Sequence, residues 1–447
     1  MSRDRSALAG RFFWSLANFA SSYGLRFGSN IVLTRLLDPS VFGIMVIVNA
    51  MRLGIELMTD VGIEQNIVRH AQGAEPRFFN TAWTMQIVRG VCLTVLFLAL
   101  APVLAGFYAV DIRIFLAIAF APLLTSLHST SIFLAVKNLE VKRRTLFEFS
   151  AELSGFVVTL GLVLLMPNVW GLLAGTLCAV AIRSGLSYRL PHPPHRLTFD
   201  RGYARQILSF GGWIMISSFI MFAASNLDRL TLGKIAPLAL LGIYGLARTM
   251  ADIPAAMARR LGYQIIFPML ADARSRGDET LVRDVSPARM KLVLMAALVI
   301  GLGVGTADWA VSILYDSRYA EAGWMLSLLL FGAWFSVLSN FNEAVLMGAG
   351  RPAYESGANG VRFAVLAAGL WLGYLWAGLA GTILAMVLAE LGRYLFVLNG
   401  QRREHLSFVR QDFAATAAML LVVALCLAVR MPLGLGDPWR LMLEGLK

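Results

Sequence analysis

Charge is scarce in this chain. Of its 447 residues only 15% are charged and 58% are hydrophobic, with a mean hydropathy of +0.68, whereas a soluble chain carries about 25% charged residues. That composition excludes a soluble globular enzyme. Cysteine is scarcer still: Cys92, Cys178 and Cys426 all fall inside apolar runs at no metal-ligand spacing. They are expected as small buried hydrophobes, with no disulfide framework, metal or cofactor implied. Of the five histidines, two lie in PHPPHRLTFD (191–200). Among those prolines they mark a stiff cytoplasmic linker between two halves rather than a metal site. No gap between apolar runs is long enough for a soluble domain. The start, MSRDRSALAGR before FFWSLANFASSYGLRFGSNIVL, has no small-residue cleavage site, and its apolar region is too long and too polar for a signal peptide. It is expected to be the first retained span.

What is present is a series of apolar runs of 18 or more residues, each able to cross a hydrocarbon core of roughly 30 Å. The expected fold is an all-α polytopic membrane protein. About thirteen helices lie near 12–35, 41–64, 81–105, 112–136, 146–166, 168–189, 207–232, 238–259, 290–314, 322–347, 357–375, 377–398 and 412–430. The loops alternate in charge. Arg3, Arg5 and Arg11, then Arg69 and Arg77, Lys137 to Arg144, Arg189 to Arg205, Arg259 to Arg289 (with Arg276) and Arg402 to Arg410 form one basic set. The other set holds little beyond Arg35, Arg113, Lys234 and Arg318. The positive-inside rule puts the basic set and the N-terminus on the cytoplasmic side of the membrane. The net charge of +12 is thus topological, with a secondary role at membrane lipid headgroups, and no folded basic face exists for nucleic acid.

WGLLAGT (170–176) recurs as WAGLAGT (376–382), and Tyr188 and Tyr394 lie the same distance beyond each tryptophan. Earlier, LDPSVFGI (37–44) is echoed by IAPLALLGI (235–243). Two echoes in the same order favour an internal duplication. Each copy holds six spans, an even number, so the repeats run parallel around an axis along the membrane normal. The expected organisation is an N-terminal six-helix lobe (1–190), a linker (191–206), a C-terminal six-helix lobe (207–400) and an extra helix with its tail (401–447).

A charge at the centre of a span costs ~2.5–3.5 kcal/mol, so it must face water, a partner or a substrate. In the first span Asn18, Ser22, Arg26 and Asn30 recur every four residues and share a face. Asn49, Arg52, Glu56 and Asp60 form a second stripe, and Arg248 and Asp252 repeat the arginine-then-acid step in the eighth span. Arg89 lies about two turns in from the cytoplasm. Glu148, Glu152, Glu390, Arg393 and Asp60, near helix ends, are expected as solvated interface residues. Each arginine–acid pair is either a neutral bridge fixing helix packing or part of a net positive cavity. An anionic substrate suits such a cavity, and guanidinium matches phosphate best.

LTRLLDPSVFGIMVIV (33–48), DVGIEQNIVR (60–69) and LGIYGLARTMADIPAAM (241–257) resemble the polysaccharide flippases: the Wzx-like O-antigen and exopolysaccharide transporters of the MOP flippase superfamily. The resemblance covers nearly the whole chain. It implies V-shaped six-helix lobes around a cationic cavity, through which an undecaprenyl-diphosphate-linked oligosaccharide crosses the membrane by alternating access. The cavity arginines of that family fall here on Arg26, Arg52, Arg89 and Arg248. A thirteenth span departs from the family's even count.

The function read from the chain is therefore a transporter, not an enzyme. It serves surface polysaccharide biosynthesis alongside glycosyltransferases and a polysaccharide polymerase. The arginines would hold the diphosphate, Asn18, Asn30, Asn340 and Asn342 the sugar hydroxyls. Glu56, Asp252 and Glu343 are candidates for a coupling Na+ or H+. A lipid II flippase is the nearest alternative. A cation-coupled multidrug antiporter of the same superfamily fits less well, because its cavity should be rich in carboxylates. A glycan polymerase or ligase would need reactive groups in a sizeable outer loop, and the outer loops here are short and lack histidine.

Overall fold

In a computed structural model, the regular structure of the described residues is helical throughout. Residues 2–275, 281–434 and 436–445 are described, though most side chains within 2–18, 210–220 and 273–284 are not, and Asn18 and Arg276 lie outside the description. The chain divides into two compact units, residues 1–223 and 224–447.

The first unit contains α1 (Ser2–Leu36), α2 (Pro39–Met58), α3 (Ile63–Arg69), α4 (Pro76–Tyr108), α5 (Ile112–Ile118), α6 (Ala121–Ser126), α7 (Ser131–Lys137), α8 (Val141–Leu165), α9 (Val169–Ser187) and the start of α10 (Arg201–Ile235). The second holds the rest of α10, α11 (Leu238–Leu261), α12 (Phe267–Ser275), α13 (Leu281–Leu314), α14 (Ala322–Gly348), α15 (Ala353–Arg403), α16 (Val409–Arg430) and α17 (Arg440–Gly445). Among the described residues eight helices are long and apolar enough to cross a membrane, nine if α5 to α7 count as one bent span. This is a multi-pass membrane protein.

Local sequence explains where the helices begin and end. Pro39 and Pro76 sit in the first turn of α2 and α4, where a missing N–H costs nothing. Asn168 accepts from the backbone N–H of Trp170 at 2.9 Å and caps α9. The second span was expected to reach residue 64 but stops at Met58. Asp60 accepts from the Gly62 N–H at 3.0 Å, and Gly62 turns the chain at φ +63° into α3.

The fourth expected span, 112–136, is broken into α5, α6 and α7, with a 53° bend. Pro122 opens α6, and Leu127 to Thr130 leave the helix. The freed backbone groups need partners in place of water. Gln86 of α4 donates to the carbonyls of Ser126 (2.8 Å) and His128 (3.0 Å). From α9, Ser184 donates to Leu124 O, and Ser187 Oγ accepts from Ser129 N–H. Tyr188, just beyond α9, donates to Leu127 O at 2.6 Å.

The packing beside the repeated motif is alike in the two units. A Cβ on Gly155 would meet Ala179 at 2.8 Å, and one on Gly369 would meet Ala385 at 2.9 Å. Ala179 and Ala385 are separated by the same interval as the two repeated tryptophans. α15 is two helices joined at Ala377 and Gly378, the latter at φ +55°, where the two spans 357–375 and 377–398 were expected to meet. A Cβ on Gly373 would stand 2.4 Å from the Gly381 carbonyl oxygen, so the hairpin closes only with glycine there.

The linker 191–200 is extended and is fastened to α4. Asn80 donates to Pro194 O (3.0 Å) and accepts from Arg196 N–H (3.1 Å). Thr84 and Thr81 accept from the N–H groups of Thr198 and Asp200. Residues 201–206 already belong to α10. Cys92 and Cys178 lie on the outer surface of their helices rather than buried, because the apolar outer faces of a bundle meet lipid.

Candidate functional site

In the first unit the arginines of the sequence reading take three different roles. Arg52 pairs with Glu56 through Nη1 at 2.8 Å, as the spacing of four residues allows. Its Nε is buried without a hydrogen-bond partner. Arg89 donates from Nε to Thr59 Oγ1 (3.1 Å) and from Nη2 to the carbonyl of Glu56. These are the last groups of α2, so Arg89 caps a helix C-terminus, where a cation is favoured. Arg26 is 67% exposed and bonds Glu152 of α8 at 2.8 Å. Asn30, on the same face, is partly exposed.

Two cavities open around the broken fourth span. One, of about 370 Å³, is lined by Arg52, Arg144, Arg183, His128, Glu64 and Glu148, among others. The other, of about 180 Å³, is lined by Glu56, Asp60, Glu64 and Arg89. Arg144 is paired with Glu148 at 2.8 Å. Arg183, which the sequence reading did not single out, stacks over the Phe147 ring with its guanidinium carbon 5.7 Å from the centroid. It lies near the C-terminal end of α9.

In the second unit several charges are buried and paired with one another, though Asp252 is 46% exposed. Arg248 lies 3.3 Å from Asp252 and 3.7 Å from Asp228. Asp252 also meets Arg229 at 3.5 Å, and Tyr244 donates to Asp228. Deeper in, Arg393 grips Glu343 through Nη2 at 2.6 Å and Nε at 3.0 Å, and also donates to Asn340 at 3.2 Å. Arg362 pairs with Glu390 at 2.8 Å. Glu390 and Arg393 are thus buried, not the solvated interface residues expected, because α15 packs them against α14. Arg289, expected among cytoplasmic loop cations, is fully buried between Asp412 and Asn342. Asn340 donates to Ala255 O and Asn342 to Asp412. Both amides are therefore engaged at each end inside the unit.

Among the titratable groups outside the spans, His195 stands apart. Burial, then the neighbouring His192, lowers it from the usual 6.5 to about 4. Its ring packs on Trp83, and Nε2 lies 3.1 Å from Ser129 Oγ. No group of three or more metal-binding side chains forms among the described residues.

The family model for "Polysaccharide biosynthesis protein" matches residues 32–323. This chain belongs to that family. Its members are membrane flippases and transporters of polysaccharide biosynthesis. The chain is 24% identical over 385 residues to the teichuronic acid biosynthesis protein TuaB of Bacillus subtilis (strain 168), covering 81% of this chain and 77% of TuaB. It is 22% identical to the lipopolysaccharide biosynthesis protein WzxC of Escherichia coli (strain K12), covering 85% and 77%. The fold is that of the MOP superfamily. An inward closed structure of the lipid II flippase MurJ superposes with a TM-score of 0.74 at 10% identity, covering 97% of this chain and 95% of that one. An inward-facing multidrug transporter of the MATE family gives 0.63 at 14% identity, covering 90% and 95%.

Proposed function

We propose that this chain moves an undecaprenyl-diphosphate-linked oligosaccharide from the cytoplasmic to the periplasmic leaflet of a bacterial inner membrane by alternating access. The N-terminus is cytoplasmic, and the work is done alongside glycosyltransferases and a polysaccharide polymerase. The observation that carries the reading is Arg52, which lines a 370 Å³ cavity with one guanidinium nitrogen bonded to Glu56 and another buried and unbonded. A diphosphate oxygen supplies the missing acceptor. Arg26, exposed on α1 and held by one carboxylate, is the second cation suited to the diphosphate. Arg89 serves by holding the end of α2, to which it is committed, and Arg248 by pairing with Asp228 and Asp252, although its Nε also lacks a hydrogen bond. Asn30 is the asparagine best placed for sugar hydroxyls.

Glu56, Asp252 and Glu343 each face an arginine in this conformation. That favours the membrane potential over Na+ or H+ as the driver: a dianion moving outward across an inside-negative membrane gains ~2.3 kcal/mol per charge per 100 mV. The test compares Arg52→Ala with Arg52→Lys by surface polysaccharide at matched membrane levels. Alanine should lower export at least about tenfold, and lysine should retain part of it. Full export with alanine would sink the assignment.

A further inference from the structure

The second cation of the 370 Å³ cavity to lack a full set of partners is Arg183, which no sequence motif flagged. Among the described residues it has no carboxylate and no hydrogen bond, only the face of Phe147. A guanidinium over a ring face uses none of its N–H donors in that contact, so they remain available to other partners. Arg144 and Arg52 share the same wall, each tied to one carboxylate through a single nitrogen. Against three guanidinium groups stand Glu64 and Glu148 in the wall and Glu56 on Arg52, so the charges balance in number, but none of these carboxylates pairs with Arg183. The Thr125 hydroxyl and the imidazole of His128 complete a polar lining, while Ile132, Val136 and Val180 close the apolar side. The volume falls within the range of small-ligand sites. A guanidinium without a carboxylate partner, beside a cavity in a membrane protein, suits an anion, because charges within a membrane are costly unless paired.

We propose that Arg183, together with Arg52 and Arg144, forms a phosphate-type oxyanion site within the first unit. It takes the diphosphate of the transported lipid through the N–H donors of Arg183. This rests on the flippase reading for the identity of the occupant, but the site itself stands on its own geometry. The phosphate of an anionic phospholipid headgroup has the same chemistry, so the experiment separates the two sources.

The full-length protein, purified in detergent, is titrated with inorganic pyrophosphate beside Arg183→Gln, Arg183→Lys and a control, Arg351→Gln. Arg351 is an exposed partner of Glu404 in the other unit. Wild type and the control should bind saturably and alike, with Arg183→Gln at least tenfold weaker and Arg183→Lys between them. Melting temperatures of all four confirm that each is folded. Wild-type affinity in Arg183→Gln, or no saturable binding by wild type, overturns the site. That result with export still dependent on Arg52 would leave the flippase reading standing. In nanodiscs, pyrophosphate affinity indifferent to phosphatidylglycerol assigns the site to the substrate diphosphate. Affinity weakened by phosphatidylglycerol in wild type but not in Arg183→Gln assigns it to the headgroup.

Discussion

Residues 112–137 in the first unit and Ala322–Gly348 in the second hold the same place in their helix order, yet one is in three pieces and the other is continuous. The first carries Pro122 and the polar run from His128 to Ser131; the second has no proline, and its polar stretch from Ser339 to Glu343 stays helical with its side chains bonded inside the unit. In the first unit, side chains of α4 and α9 stand in for broken backbone bonds, and two cavities remain beside the break. In the second, 83% of the apolar window of α14 is buried, and the charges near it are paired with one another. The first unit is the open half, where the unbonded Nε of Arg52 belongs to a residue lining a cavity, and the second the closed half, where Arg248 and Arg289 also keep an unbonded Nε but lie largely buried beside carboxylates.

The largest expected effect breaks the closed half. Arg393→Ala strands Glu343 in the interior, while Glu390 keeps Arg362, and should cost about 3–5 kcal/mol, read as a large drop in melting temperature in detergent. The matching change in the open half, Arg144→Ala, removes a bridge whose arginine is 40% exposed and should cost less than about 1 kcal/mol. Equal losses from both would erase the contrast. Next comes Gln86→Leu, which leaves the carbonyls of Ser126 and His128 without their donor and should cost about 1–3 kcal/mol. Hydrogen exchange should then rise in 126–131 and not in α14.

The smallest effect concerns the linker. His195 is held neutral, with its value lowered from 6.5 to about 4, so the unfolded chain takes up the proton first as pH falls. Stability from this group is complete above pH 6.5 and is lost as pH falls toward 4. Exchange at Arg196, Thr198 and Asp200 should quicken across that window in wild type. In His195→Gln the acid step should disappear.

The spans were legible because hydropathy alone decides what can lie in lipid, and the α15 hairpin because its glycines repeat an earlier motif. The end of α2 was not, since the apolar run continues through Val61 and Ile63 while the stop is written in Asp60 and Gly62. The break after Ser126 was also signalled, by Pro122 and by the polar run that follows, but apolar length outweighed both. The bridges within α2 and α11 followed from a spacing of four residues. Partners on other helices, Glu152 for Arg26, Glu343 for Arg393 and Asp412 for Arg289, have no spacing code and needed the fold. Arg183 was missed for the same reason. At a helix end a topological cation and a ligand-binding one look alike until the cavity beside it is seen.

The account turns on Arg52 serving a lipid-linked diphosphate, and reconstituted proteoliposomes test this most directly. With a labelled undecaprenyl-diphosphate oligosaccharide in one leaflet, its arrival in the other is followed for wild type, Arg52→Ala and protein-free vesicles. Wild type should equilibrate the label at least about tenfold faster than empty vesicles, with Arg52→Ala near background. Wild type no faster than empty vesicles, or Arg52→Ala as fast as wild type, would contradict the account.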